Sequence, residues 1–171
     1  MEARRRRLEA DAKALAALAA SMPTVVEVLQ SQGTPPDRHL IRLNLPAIEK
    51  VEGDSPVCRD QHRLEIRLPS TYPLSAPVVR ALSPVFHPHV FANGTFCLGS
   101  RWLVGETLGD LVLRLIDILR ADPLLFDFDS AAHGDAADWY EAHPDLFPLA
   151  ERPSPVVPEV PERARLEWRD L

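Results

Sequence analysis

Hydrophobic and polar residues alternate most regularly over positions 62–68. His62, Leu64, Ile66 and Leu68 share one face there, and Arg63, Glu65 and Arg67 the other. A period of two with charge on one side predicts a strand of an antiparallel sheet, one face on a core and one in water. The same pattern recurs over 39–45, where Leu40 and Arg42 alternate with Ile41, Leu43 and Leu45, and in the β-branched run at 25–29. A short fourth strand is predicted over 78–82, ended by Ser83-Pro84. Positions 49–60 are less regular and predict a hairpin or a loose crossing segment. Strands at such short intervals form a meander, with helices covering the apolar face.

Helical periodicity brackets these strands. Over 3–21, Leu8, Ala12, Leu15, Leu18 and Ala19 recur at helical spacing among strong helix formers, and Pro23 stops the run. Over 107–121, Leu108, Leu111, Val112, Leu115, Ile118 and Leu119 form one apolar stripe, with Thr107 as cap and Pro123 as stop. A last helix is predicted through Ala131, Ala132, Ala136, Ala137 and Tyr140, capped by Asp129 or Ser130 and weakened by Gly134. Between the third and fourth strands, Pro69, Pro73 and Pro77 predict a stiff, extended crossing. The expected domain is residues 1–150. Residues 151–171 read as a semi-rigid Pro-rich tail outside it, ending in Leu166, Trp168 and Leu171, either as a docking peptide or as a disordered end.

Composition narrows the function. The chain has 171 residues, 46% hydrophobic and 26% charged, with a formal net charge of −6. That is a soluble globular domain with few aromatics, which argues against nucleic acid as a partner. No apolar run is long enough to span a bilayer, and no secretory signal is evident, so no membrane role is expected. Cys58 and Cys97 do not make a disulfide framework, which places the chain in a reducing cytoplasm. Arg4, Arg5, Arg6 and Arg7 cluster at a helix start, where like positive charge opposes the dipole. They read either as a solvated face or as a docking patch for an acidic partner.

The stretch 87–102 has neither period and carries the chemistry. Asn93-Gly94 marks a turn that would lay Phe96-Cys97-Leu98 back beside His87-Pro88-His89. A thiol on such a loop is a candidate nucleophile, and an inert, buried cysteine is the plain alternative. A metal held by His87, His89 and Cys97 matches no common zinc spacing. A Cys-His hydrolase would need an orienting acid and a local signature that is lacking around Cys97. Cys58 has no comparable setting.

The order of parts resembles the ubiquitin-conjugating enzymes over about residues 4–147. An amino-terminal helix and a four-strand meander precede Tyr72-Pro73-x-x-x-Pro77, His87-Pro88, Asn93-Gly94, Cys97-Leu98, Trp102 and a long helix. The resemblance implies an α+β fold, a four-stranded antiparallel meander packed against an amino-terminal, a long central and a carboxy-terminal helix. It implies a carrier that takes a ubiquitin-like protein from an activating enzyme as a Cys97 thioester and passes it to an amine of a target protein. No bound cofactor or metal is implied, since ATP is consumed upstream. His89 stands where the family has asparagine, as loop brace first and oxyanion stabiliser second. Asp127, ahead of Asp129, is the expected carboxylate that assists the amine. His87, packed on the Tyr72 region, would brace the loop with Tyr72, Asn93 and Trp102, and the four arginines would dock the activating enzyme. The shortened segment 98–101, the recast loop 124–129 and the arginine bias make the chain look prokaryotic, a group associated with antiphage defence. A catalytically inactive relative serving as a binding module is the alternative.

Overall fold

Four antiparallel strands form one sheet in the order β1 (Val26–Gly33), β2 (Pro36–Glu52), β3 (Ser55–Arg67) and β4 (Val78–Ala81). The computed structural model describes residues 2–98 and 102–156. Helices α1 (Glu2–Ser21), α2 (Leu108–Leu119) and α3 (Gly134–Ala142) complete the α+β architecture, with short 3-10 turns at Pro123–Leu125, Phe128–Ser130 and Pro144–Leu146. Part of the segment between Cys97 and Trp102, residues 99–101, and the docking peptide expected at 166–171 lie outside the described residues.

Register sets which face is buried. Ile41 pairs with Leu64, Leu64 with Ala81, and Ile66 with Val79, so their side chains meet α1 and α2 as the main core. A one-residue slip would carry that whole set into water. The irregular stretch 49–60 resolves as a hairpin. β2 continues past Pro46 because register shifts on either side of Ala47 and Ile48 take up the mismatch, and Gly53 at φ +62° sits in the connecting turn.

The central helix forms for the reasons its sequence gives. Thr107 accepts from the Asp110 amide while Asp110 accepts from the Thr107 amide, a reciprocal capping box. Leu108, Leu111, Val112, Leu115, Ile116, Ile118 and Leu119 are buried. Each such side chain contributes about 1.5–3 kcal/mol by leaving water, which outweighs any propensity term. A second, aromatic cluster gathers Phe86, Phe126, Trp139, Tyr140 and Phe147 beside Ile48.

Three expectations are corrected. The Pro-rich crossing after β3 is folded into turns, with the Tyr72 amide bonded to Pro69 O and the Leu74 amide to Thr71 O. Proline fixes φ, and the fixed value suits a turn as well as an extended chain. Helix α3 starts at Gly134 and is capped by His133, whose Nδ1 accepts from the Ala136 amide, so neither Asp129 nor Ser130 caps it. The run from Glu151 does not leave the domain at once. Arg152 pairs with Asp117 at 2.9 Å, and the Val156 amide reaches Ser21 O at 2.6 Å. The amino-terminal arginines are engaged within the fold to different degrees. Arg5 pairs with Glu9 and Arg6 with Glu2, while Arg4 and Arg7 reach across to other elements.

Candidate functional site

The loop from His87 to Leu98 is a miniature hairpin laid against β4. Val90 bridges Phe96, and Thr95 bridges Arg80. Phe96 N–H donates to Val79 O at 2.9 Å, and Ala81 N–H to Gly94 O at 2.8 Å. Asn93 Oδ1 accepts from the Thr95 amide at 3.0 Å, which shapes the turn. Gly94 is required there, since its φ is +86° and a Cβ would lie 2.6 Å from Ala81 O. The hairpin closes where Cys97 N–H donates to His89 O at 2.8 Å. The Cys97 thiol is free and half-buried.

The two histidines accept main-chain hydrogen bonds on opposite ring nitrogens. His87 is 1% exposed, and its Nδ1 accepts from the His89 amide at 3.0 Å. Its proton therefore sits on Nε2, which is buried and has no partner among the described residues. Burial first, then the neighbouring His89, pushes its pKa down to about 3. The ring packs against Tyr140 at 5.3 Å and Phe126 at 5.9 Å. That corrects the expectation that it lies on the Tyr72 region, because the aromatic cluster after α2 is nearer to hand. His89 is 9% exposed, and its Nε2 accepts from the Asp127 amide at 3.0 Å, leaving the proton on Nδ1.

Those contacts tie the loop after α2 to the cysteine's loop. Pro88 O accepts from Ala132 N–H at 2.8 Å and from His133 N–H at 3.1 Å, flanking the His89 bond. Asp127 is thereby held through its main chain beside His89 and is partly buried, while Asp129 lies in the next turn and is exposed. The sequence brings His89, Asp127 and Cys97 into one neighbourhood through backbone bonds. Among the described residues no group of three His, Cys, Asp or Glu side chains could hold a metal ion. No described helix is long and apolar enough to cross a membrane.

Tyr72 and Trp102 brace the other side. Trp102 Nε1 donates to Pro73 O at 2.8 Å, and its ring lies 5.7 Å from that of Tyr72. Tyr72 OH donates to Asp11 at 2.5 Å and accepts from Arg7 at 3.1 Å. Burial and the Asp11 carboxylate both raise the phenol's pKa. Asp11, 1% exposed, also accepts from Arg7 Nε at 2.7 Å and from the Leu108 amide at 2.9 Å. One carboxylate thus joins α1, the proline turn and the first residue of α2, where the helix dipole favours negative charge. The sequence reading missed Asp11. Its signal was present, a carboxylate on the stripe that buries Leu8, Leu15 and Leu18.

The family follows from a profile match, since the model described as "Ubiquitin-conjugating enzyme" matches residues 42–150. The chain belongs to the ubiquitin-conjugating enzyme family. Human ubiquitin-conjugating enzyme E2 K is 28% identical over 74% of this chain and 66% of its own length. Ubiquitin-conjugating enzyme E2 N of Macaca fascicularis is 33% identical over 43% of this chain and 53% of its own. The chain therefore spans about two thirds or less of these curated relatives. A solved ubiquitin-conjugating enzyme from Trypanosoma cruzi has the same fold, with a TM-score of 0.59 and 20% identity, covering 84% of this chain and 94% of its own.

Proposed function

We propose that this chain is a ubiquitin-conjugating-type carrier, an acyltransferase with Cys97 as its thioester site. The acyl carbon of a ubiquitin-like protein's carboxyl end exchanges its bond to an activating enzyme for one to Cys97 Sγ. A target amine then attacks that carbon. The C–N bond forms, the C–S bond breaks, Cys97 leaves as thiolate and the amine gives up a proton. The observation that carries this reading is the half-buried free thiol of Cys97, whose main-chain N–H closes the hairpin at His89 O, in a chain of this family.

Within it, His89 is a positioning residue, holding the Asp127 loop through Nε2. Asp127 orients the incoming amine and eases loss of its proton. His87, Tyr72, Asn93 and Trp102 keep the loop in shape. Arg5 and Arg6, the more exposed of the four arginines, offer an activating enzyme a contact on α1. A prokaryotic conjugation system with antiphage function, in the cytoplasm, is the biological setting this reading favours. The compact, arginine-biased composition supports it, and neighbouring genes for an activating enzyme and a ubiquitin-like protein are its test.

The biochemical test is charging with a cognate activating enzyme, ubiquitin-like protein and ATP. A thiol-sensitive adduct on the native chain, absent from Cys97→Ala and thiol-resistant on Cys97→Lys, is the expected result. His89→Ala should charge normally and discharge about 10–100-fold more slowly. Charging that survives Cys97→Ala would overturn the assignment, and no adduct on the native chain would favour the non-catalytic binding module.

A further inference from the structure

Between α1 and β1 the surface opens into a groove of about 440 Å³, none of whose lining residues belongs to the loop that carries Cys97. Leu15, Ala16 and Ala19 form one wall, and Pro23, Val26 and Val28 the other. The two alanines leave open the space that a larger helix residue would fill. Among the lining residues only Glu27 and Ser31, both exposed, carry polar side chains. β1 is also an edge strand, so one side of its backbone lacks a neighbouring strand. An apolar cleft with polar groups only at its rim suits apolar side chains better than a polar metabolite, which needs orienting groups inside its site.

The chain itself arrives at this groove. The Val156 amide donates to Ser21 O at 2.6 Å, at the carboxy end of α1 and just before Pro23 in the groove wall. Residues 157–171 continue from that point and lie outside the described residues. Their sequence is a spacer with Pro158 and Pro161, followed by Leu166, Trp168 and Leu171 among charged residues. Reach is ample. The stretch of α1 from Ala12 to Ser21 is about 14 Å long, and the roughly ten residues from Val156 to Leu166 can span up to about 33 Å. Charge agrees as well. The last turn of α1 has no basic side chain, and Glu27 holds Arg42 only at 3.5 Å, so Arg163 and Arg165 would bring favourable positive charge to both.

We infer that the groove between α1 and β1 is the seat of this chain's own carboxy-terminal segment, with Leu166 and Trp168 as its anchors. An indole brings a large, rigid apolar surface at low cost in side-chain freedom, which is what an open apolar groove can hold. Tethering lets a weak contact suffice. The spacer that starts at Val156 gives the segment an effective concentration on the order of 1 mM, so a segment that binds in trans at about 0.1 mM would hold the groove about nine-tenths of the time. The same segment on a second copy lacks that advantage at micromolar protein. Groove and segment both stand apart from the Cys97 chemistry, so the inference does not depend on the carrier reading.

The test titrates full-length chains into a fluorescently labelled peptide of residues 157–171 and follows anisotropy. The double variant Leu166→Ala/Trp168→Ala, whose own segment has lost its anchors, should bind the peptide saturably. The native chain should bind it about tenfold more weakly, because its own segment competes. Adding Ala16→Arg to the double variant blocks the groove and should cost tenfold or more, while Ala17→Arg, exposed on α1 outside the groove lining, should stay within about twofold. Both positions are exposed and arginine is a good helix former, so circular dichroism of every variant should match the native chain. Lack of saturable binding to the double variant would overturn the inference, and so would equal affinity for the native chain and the double variant. Equal loss from Ala16→Arg and Ala17→Arg would remove the groove as the seat. A native dimer in sedimentation velocity that the double variant lacks would replace the chain's own segment with that of a second copy.

Discussion

A neutral imidazole sealed in the protein makes folding depend on pH, and His87 is that group. Its pKa falls from the ordinary value of 6.5 to about 3 because burial penalises the charged form. Between those values the unfolded chain binds a proton that the native chain refuses. The resulting stability is complete above about pH 6.5 and is lost as pH falls toward 3, at up to about 1.4 kcal/mol per pH unit. From pH 7 to pH 5 this one residue should cost about 2 kcal/mol. His39 and His62, also lowered by burial, act in the same direction. Urea unfolding at pH 7, 6 and 5 should show the midpoint falling, and His87→Asn should flatten the profile by roughly one proton's worth. A native profile flat from pH 7 to pH 5 would mean that His87 is not held neutral in the folded state.

At the scale of elements, Asp11 shows what alternation and periodicity convey and what they omit. Strand β3, the helix α2 cap and the turn at Gly94 were all legible, because each is set by residues within a few positions of one another. The Asp11 junction was not, since its partners Tyr72 and Leu108 lie 61 and 97 positions away. For the same reason the loop chemistry was readable as a hairpin, while the long-range bonds from Asp127 and Ala132 to His89 and Pro88 were not. Removing a buried charge's partner is expensive. Asp11→Ala leaves Arg7 Nε, Tyr72 OH and the Leu108 amide without their acceptor, and should destabilise the domain by about 3–5 kcal/mol. Glu9→Ala, two positions away on the solvent side and paired among the described residues with Arg5 alone, should fall within about 0.5 kcal/mol of the native chain. Urea midpoints compare the two directly, and similar small losses would show that Asp11 is not the tie between α1 and α2.

The whole molecule is closed by a segment that its composition disguised as a linker. Four prolines between 153 and 161 read as a spacer, yet residues 149–156 are fastened at both ends. Leu149 N–H donates to Arg120 O, Arg120 Nη1 to Ala150 O, and Arg152 pairs with Asp117 on α2. Val156 then meets the last residue of α1 at Ser21 O. Composition alone cannot distinguish a strap from a spacer, because both need a chain stiffened in φ and free of competing secondary structure. A chain ended after Val156 keeps all of these contacts, whereas one ended after Ala150 loses the Arg152 and Val156 bonds. Asp117 is 13% exposed but Arg152 is 56% exposed, so their pair is worth about what a surface ion pair is, and the Val156 bond adds to it. The longer chain should be more stable by about 1–2 kcal/mol, equivalent to about 3–6 °C in Tm for a domain of this size. Arg152→Ala in the longer chain should forfeit about half of that difference, and equal melting of the two truncated chains would return residues 151–156 to the role of an external linker.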